Sequence, residues 1–217
     1  MRKINIVPDE YYHIYNRGNN KQNIFMEEKD WLRFLFLILY FQSPVTFYNI
    51  NVGHRVSHVS VSKKTLEKIL SNRTVELISF ANMPNHFHMI VKEISNNGIS
   101  RYMQRILNSY TKYFNTKYKK SGHLFQGPFQ IKHIENNEQL LHLSAYIHRN
   151  PREIKEWKNK EHLYPWSSYQ DYINKNRWGD ILKTQIILDQ FSNNNEYKDF
   201  IETSGVKPDL EEELLLD

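Results

Sequence analysis

The 217-residue chain carries 29 lysine and arginine residues against 24 acidic residues, a formal charge of +5 at pH 7, and it contains no cysteine. At about 100–200 residues per domain, this length excludes two large independent domains, and the lack of thiols excludes disulfides, thiolate metal sites and cysteine nucleophiles. The 40% share of apolar residues is well above that of disordered chains and predicts a folded core.

The charge is unevenly distributed. The last ten residues, PDLEEELLLD, hold five acids and no base, so the preceding 207 residues carry a formal charge of +10. A basic body suggests a polyanion such as nucleic acid as partner, although an ordinary basic protein would show the same balance. The longest apolar run, FLFLILYF, is far shorter than the roughly 18–20 residues that span a bilayer, and the N-terminus lacks a signal-peptide pattern. We therefore expect no membrane attachment and a cytoplasmic location.

Hydrophobic periodicity and turn residues predict an alternation of strands and helices. In chain order the predicted elements are a strand at 11–17, a helix at 27–42, a short helix at 63–70, strands at 75–82 and 86–92, a helix at 99–118, a strand at 129–134 and a helix at 136–149. The two central strands are joined closely enough to form a hairpin, and Asn136 and Gln139 are spaced as a capping box. This order predicts an α+β fold, a ferredoxin-like antiparallel sheet with helices on one face.

Two histidines flank Phe87 in the strand predicted at 86–92. Because alternate residues of a strand point to the same side, His86 and His88 face one way and Phe87 faces the other. Two imidazoles on one face can chelate a metal ion, but a catalytic ion needs a third protein donor, which this pair does not supply. With ten histidines in the chain, a structural pair formed by chance is the alternative interpretation.

The helix predicted at 136–149 carries a polar stripe beside its apolar one. His142, Tyr146 and Asn150 are spaced by four, which places them on one side of the helix and lets Tyr146 and Asn150 project together from the edge of the core. A tyrosine hydroxyl can act as a nucleophile and an asparagine amide oxygen can bind a metal. Alternatively, Tyr146 packs in the core and Asn150 simply ends the helix before Pro151.

Residues 94–134 contain no acid, seven bases and seven aromatic residues. Bases that contact phosphates and rings that stack on nucleobases are typical of single-stranded nucleic-acid binding, while a basic solvated surface is the alternative. Several of the rings must also belong to the core. The bases are Arg101, Arg105, Lys112, Lys117, Lys119, Lys120 and Lys132. The rings are Tyr102, Tyr110, Tyr113, Phe114, Tyr118, Phe125 and Phe129.

Five motifs occur in a familiar order: YYHIYNRG, MPNHFHMIV, NSYTKYFNTKYKKSGHLFQGPF, LSAYIHRNP and YPWSSYQDY. Together they cover most of residues 11–173. The chain resembles the REP-associated tyrosine transposases, relatives of the small single-strand insertion-sequence transposases in the HUH endonuclease superfamily. The resemblance implies a catalytic domain at 1–173. Beyond the matching motifs, we expect residues 174–217 to form a helical C-terminal extension with an acidic tail.

The resemblance further implies a metal-dependent enzyme that cuts and rejoins single-stranded DNA with one tyrosine. In the matching motifs His86 and His88 would bind a divalent ion, Mg²⁺ or Mn²⁺, with Asn150 as the third ligand. Tyr146, in the Y-x-x-x-N-P motif, would be the nucleophile and would form a 5′-phosphotyrosine, leaving a free 3′-OH. From its spacing alone, His142 is a candidate proton acceptor for that tyrosine.

The resemblance also implies a partner, a DNA element that folds as an imperfect hairpin, which would place the protein at the nucleoid. We expect phosphate contacts from Arg101, Arg105, Lys112, Lys119 and Lys120, which fix position more than sequence. Relatives work as monomers or as homodimers, and both states stay open.

Three other functions are alternatives to this one. The first is a catalytically silent hairpin-DNA-binding protein domesticated from a transposase. The second is a metal-independent phosphoesterase acting on RNA ends, which would need a second histidine motif. The third is a metalloprotein without a nucleic-acid partner, which the basic stretch disfavours.

Overall fold

The computed structural model describes residues 5–48, 53 and 55–204. Its strands are β1 (Tyr11–Arg17), β2 (Val75–Met83), β3 (His86–Glu93) and β4 (Gln130–His133). Its α-helices are α1 (Glu28–Tyr40), α2 (Lys63–Ser71), α3 (Gly98–Tyr118), α4 (Asn137–Arg149), α5 (Tyr169–Ile173), α6 (Gln185–Leu188) and α7 (Asn194–Thr203). None of these helices is long and apolar enough to cross a membrane.

The four strands form one antiparallel sheet in the order β2-β3-β1-β4. Chain order β1-α1-β2-β3-α3-β4 with this strand order is the ferredoxin-like arrangement, so the predicted α+β fold is confirmed. β2 and β3 form the predicted hairpin, and β1 lies between β3 and β4 at the centre of the sheet.

The two faces of the sheet pack against different helices. On β3, Phe87, Met89 and Val91 contribute to a first core together with α1 and α3, whereas Ile90 points the other way into a second core with α4. The expected arrangement with helices on one face is therefore correct for α1 and α3 and wrong for α4. The physical reason is that β3 is apolar or buried on both sides, so both sides must be covered.

The described part of the C-terminal extension, up to Ser204, completes the second core. Tyr197 and Ile201 of α7 pack there with residues of α4 and α5. The acidic tail lies outside the described residues. The chain between Tyr164 and α5 runs along the outer edge of β2, where the Asn82 amide donates to the Trp166 carbonyl at 3.0 Å and the Ser168 amide donates to the Phe80 carbonyl at 2.9 Å. These hydrogen bonds pair backbone groups at the outer edge of β2 that would otherwise be exposed.

α4 begins with a cap that its sequence predicts. The Gln139 amide donates to Asn136 Oδ1 at 2.9 Å, and Gln139 Oε1 accepts from the Glu135 amide at 2.7 Å. The return bond therefore reaches one residue further back than in a standard capping box. The cap fixes where α4 starts, and hence which of its residues face the sheet.

Candidate active site

His86 and His88 both lie on the α4 side of the sheet, as the alternation of β3 requires. Their ring centroids are 5.1 Å apart and the rings are nearly perpendicular. Both side chains are buried, His86 at the start of the strand and His88 opposite Tyr15 of β1.

α4 brings Tyr146 and Asn150 to the same place. The Tyr146 ring meets the His88 ring edge-on, with centroids 5.5 Å apart, and Asn150 Oδ1 lies 3.2 Å from His86 Nε2. Asn150 also donates from Nδ2 to the Tyr146 carbonyl at 3.1 Å, which aims Oδ1 at the histidine. All four residues that the sequence assigned to nucleophile and metal ligation thus meet at one site.

The atoms around the His86 ring are arranged as a cation site would require. Its Nδ1 lies 2.7 Å from Asn85 Oδ1 and its Nε2 faces Asn150 Oδ1, so two carbonyl oxygens face one ring. A neutral imidazole has a single N–H and can satisfy only one of them. If Nδ1–H donates to Asn85, the lone pairs of Nε2 and Asn150 Oδ1 face each other. Two adjacent ligands of an octahedral ion with bonds of about 2.1 Å would be about 3 Å apart, close to the 3.2 Å observed.

Burial keeps both imidazoles neutral, which is the form that binds metals. It lowers the pKa of His86 to about 4, with the hydrogen bond to Asn150 acting in the opposite direction and the charge of Arg17 adding to the decrease. Burial also lowers the pKa of His88 well below its usual value, and the neighbouring His13 and His86 act in the same direction. Over the described residues no group of three or more His, Asp or Glu side chains is arranged so that it could hold a metal ion by itself. The candidate ligands are two imidazoles and one amide oxygen, a set that suits a divalent ion of borderline hardness.

The sequence analysis missed three residues that line this site. Asn85 holds Nδ1 of His86, and it also donates to the Lys21 carbonyl at 3.3 Å. His13 Nε2 lies 2.9 Å from His88 Nδ1. Arg17 pairs with His86 in the β1–β3 register and brings a positive charge to the edge of the site. The alternation of YYHIYNR, which puts His13 and Arg17 on one face of β1, was the signal that could have found two of them.

His142 lies one turn before Tyr146, at the outer edge of α4. Its ring packs against Phe200 of α7 with centroids 5.5 Å apart, and its Nε2 lies 3.9 Å from Glu138 Oε1. These contacts hold the ring between α4 and α7, on the helix side that carries Tyr146.

The basic residues of α3 and the loop after it fall into two groups. Arg101, Lys112, Lys119 and Lys120 are exposed. Arg105 is half-buried, and its guanidinium donates to backbone carbonyls of the 41–45 segment, among them Val45 at 2.6 Å. The first group is available for an external polyanion, whereas Arg105 stabilises the chain after α1.

The aromatic residues of the basic stretch belong to the first core. The interpretation of these rings as a base-stacking surface is wrong for the five that are buried, because α3 and the segment after it use them to build the first core. Those five are Tyr102, Tyr110, Phe114, Phe125 and Phe129, and the partly buried Tyr113 and Tyr118 pack against the same cluster.

Comparisons with known proteins agree with the resemblance seen in the sequence. A family model described as IS200-like transposase matches residues 7–150, about two thirds of the chain. One similar solved structure, described as a REP-associated tyrosine transposase bound to a REP hairpin, has a TM-score of 0.52 and 15% sequence identity; the match covers 80% of this chain and 84% of that one. At this identity the likeness shows a shared fold. The search of curated proteins found no match. Since the family model spans the four strands and both halves of the histidine, tyrosine and asparagine cluster, this chain belongs to the family of IS200-like transposases.

Proposed function

We propose that this transposase is a metal-dependent single-stranded DNA endonuclease and strand transferase that recognises hairpin DNA and cleaves through a 5′-phosphotyrosine intermediate. The observation that carries the proposal is the meeting of Tyr146 and Asn150 of α4 with His86 and His88 of β3. A tyrosine beside two neutral imidazoles and an oriented amide oxygen is the donor set that phosphodiester cleavage by an aromatic nucleophile needs.

His86, His88 and Asn150 would hold Mg²⁺ or Mn²⁺. When bound, such an ion polarises the scissile phosphate and offsets the charge that builds up on its oxygens. Tyr146 Oη loses its proton and forms a bond to phosphorus, while the bond from phosphorus to the 3′ oxygen breaks and that oxygen takes up a proton. The products are a 5′-phosphotyrosine and a free 3′-OH. Because the phosphotyrosine is still an ester, a 3′-OH can attack it and rejoin strands.

The proton of Tyr146 needs an acceptor, since an unperturbed tyrosine has a pKa of about 10. His142 is the titratable side chain one helical turn away, and we keep it as the candidate. Its position between α4 and α7 means that α7, which belongs to the proposed C-terminal extension at 174–217, supports α4 of the proposed catalytic domain at 1–173 on the side of the nucleophile.

For the DNA, we propose contacts from Arg101, Lys112, Lys119 and Lys120. All four are exposed on α3 or directly after it, in a stretch without acids. A groove of about 840 Å³ lies beside them, between α3 and residues 123–129, and Lys112 lines it. Exposed lysines and arginines bind phosphates and position a strand without reading its sequence. Arg105 is left out of this set because the backbone of the 41–45 segment occupies its donors.

The test is a denaturing gel with single-stranded hairpin oligonucleotides taken from the DNA that flanks the gene, with and without Mg²⁺ or Mn²⁺. Cleavage by Tyr146 leaves the protein on the 3′ fragment, so a 3′-labelled oligonucleotide should give a metal-dependent protein-linked band. The same oligonucleotide labelled at its 5′ end should give a shorter free fragment.

The Tyr146→Phe variant should lose both products completely while its DNA affinity changes little, because only the nucleophilic oxygen is removed. Tyr48→Phe is the matched control, since Tyr48 is 86% exposed and follows Phe47, which packs against the first core on the other face of the sheet, and it should behave as the wild type. A covalent band that survives in Tyr146→Phe would assign the nucleophile to another residue. Binding without any covalent band, with either ion and several hairpins, would favour a catalytically silent hairpin-binding protein.

A further inference from the structure

We propose that His13 is a positioning residue that holds His88 in the tautomer whose Nε2 carries a free lone pair. This inference rests on the proposed function, in which His88 is a metal ligand. It gives a role to a side chain that does not itself face the DNA or the ion.

His13 and His88 lie diagonally across the β1–β3 pair. In the register His13 pairs with Ile90 and Tyr15 pairs with His88, so the contact between the two imidazoles joins residues two positions apart on one face. The rings are nearly parallel, with centroids 5.1 Å apart, and His13 also stacks on Tyr15 at 4.8 Å. His13 Nε2 lies 2.9 Å from His88 Nδ1, and both side chains are almost fully buried.

The hydrogen bond leaves Nε2 as the ring nitrogen of His88 that can bind a ligand. For Nε2 to offer a lone pair, a neutral His88 must carry its proton on Nδ1 and donate it to His13 Nε2. In the opposite arrangement His13 donates, and the proton of His88 sits on Nε2, where it blocks a metal. His13 is the acceptor that makes the first arrangement available in a buried site.

His86 shows the same design with a different partner. Its Nδ1 lies 2.7 Å from Asn85 Oδ1, an atom that can only accept. Both candidate histidine ligands therefore have an outer partner at Nδ1, which leaves Nε2 for the site. Outer partners of this kind fix the tautomer and orientation of metal-binding histidines.

Filling space in the core does not by itself account for an imidazole at this position. In the described part of the chain His13 Nδ1 is buried without a hydrogen-bond partner, which is a cost that a core residue normally avoids. A phenylalanine would fill the space and stack on Tyr15 without that cost, but only the imidazole gives His88 Nδ1 a hydrogen-bond partner. Burial, and after it the charge of Lys132, the register partner of His13 on β4, lower the pKa of His13, so its ring can act as a neutral acceptor.

The experiment reads the tautomer directly in the metal-free full-length protein. Long-range ¹H–¹⁵N spectra of the imidazoles distinguish Nδ1–H from Nε2–H, and a His88→Gln sample assigns the signal. We expect His88 to carry its proton on Nδ1 in the wild type. In His13→Phe, which keeps a stacking ring but has no acceptor, we expect a shift to the Nε2–H form.

Calorimetric titration with Mn²⁺ gives the second readout. We expect His13→Phe to weaken Mn²⁺ binding by about 10–100-fold, the usual effect of losing an outer partner. His13→Gln places an amide oxygen near the position of Nε2 and should restore part of the affinity and of the Nδ1–H form. His133→Phe, on the exposed part of β4, is the control and should change neither readout.

Several results would overturn the proposal. They are an Nε2–H tautomer of His88 in the wild type, an unchanged tautomer in His13→Phe, or equal Mn²⁺ affinity in His13→Phe and the wild type. If His13→Phe does not fold, the proposal is tested by the tautomer of His88 in the wild type and by the Mn²⁺ affinity of His13→Gln. Equal Mn²⁺ binding removes only the role of His13, whereas a wild-type protein without any Mn²⁺ binding overturns the metal site and the proposed function with it.

Discussion

His148 lies two residues after Tyr146 on α4 and points into the second core. Its Nδ1 is 2.8 Å from Tyr197 Oη and its Nε2 is 2.8 Å from Ser168 Oγ, so one imidazole ties α4 to α7 and to the segment along β2. Burial lowers the pKa of His148 to about 3. Burial, with the charge of Lys132, lowers the pKa of His13 to about 3 as well.

These histidines predict a stability that falls on acidification. A histidine whose folded-state pKa is lowered stays neutral in the folded protein, while the unfolded chain takes up a proton below pH 6.5. Stability is therefore complete above that pH and is lost as the pH falls from 6.5 towards 3. For each fully buried histidine, the free energy of unfolding should be about 2 kcal/mol lower at pH 5 than at pH 8. Urea unfolding of the metal-free protein over this range measures the loss.

Two variants test whether His148 contributes to this loss of stability at low pH. His148→Gln cannot take up a proton, so it should lower stability at pH 8 yet make the pH dependence shallower by about 2 kcal/mol. His123→Gln changes an exposed histidine and should leave the curve unaltered. If His148→Gln kept the full wild-type pH dependence, His148 would not be the buried neutral group that the structure shows.

At the scale of elements, α1 and α3 are joined through one fully buried carboxylate. Asp30 accepts hydrogen bonds from Tyr113, Lys117 and Tyr118 of α3 and from the backbone amides of Met26 and Glu27 before α1. Burial acts to raise the pKa of Asp30, but the hydrogen bonds from α3 and the Met26 amide outweigh it and hold the pKa below its usual value. The same residue therefore caps one helix and fastens it to the other.

Asp30→Asn should destabilise the protein by about 3 kcal/mol at pH 7, because it leaves the partly buried Lys117 with Glu27 as its remaining carboxylate partner and replaces a buried acceptor by a donor. Asp180→Asn is the matched control, since Asp180 is exposed and pairs with Lys183 at 3.0 Å. Loss of that surface pair should cost less than about 1 kcal/mol. Urea unfolding of both variants makes the comparison, and similar effects would show that the α1–α3 junction does not depend on the buried charge.

At the scale of the whole molecule, the site lies between the sheet and α4, whereas the exposed basic residues lie on α3, which packs on the other face. A DNA strand that reaches both must pass around the end of the sheet. Arg17 and His86 mark that end, and the chain entering β4 is held there because Asn16 donates to the Gly127 carbonyl at 3.1 Å. The 123–129 segment, which lines the groove on α3, therefore lies towards the proposed catalytic residues.

This arrangement predicts a steep dependence of hairpin binding on salt. Replacing Lys112, Lys119 and Lys120 together by glutamine should weaken binding and reduce the slope of log K against log [salt] by about 2–3, the value for three lost phosphate contacts. The control changes three exposed lysines of α2, Lys63, Lys64 and Lys68, which removes the same charge elsewhere. Fluorescence anisotropy from 50 to 300 mM salt measures both. Equal slopes in the two triple variants would place the DNA on another surface.

Much of the fold could be predicted from local patterns. The periods of two and of about 3.6 residues located four strands and the main helices to within about two residues, because each pattern reflects which side of one element is buried. The same periods placed His86 with His88, and Tyr146 with Asn150, on common faces. Their assignment as ligands and nucleophile came from the family motifs.

Contacts between distant segments could not be predicted in this way. His13 and His88 are 75 residues apart in the chain, and only the β1–β3 register brings them to 2.9 Å. The side of the sheet that α4 covers, and the commitment of Arg105 to the chain after α1, likewise depend on packing between elements. Sequence periodicity reports the environment of a residue along its own helix or strand, whereas the site is built from side chains of three elements. Their relative placement is determined by strand register and by the two cores.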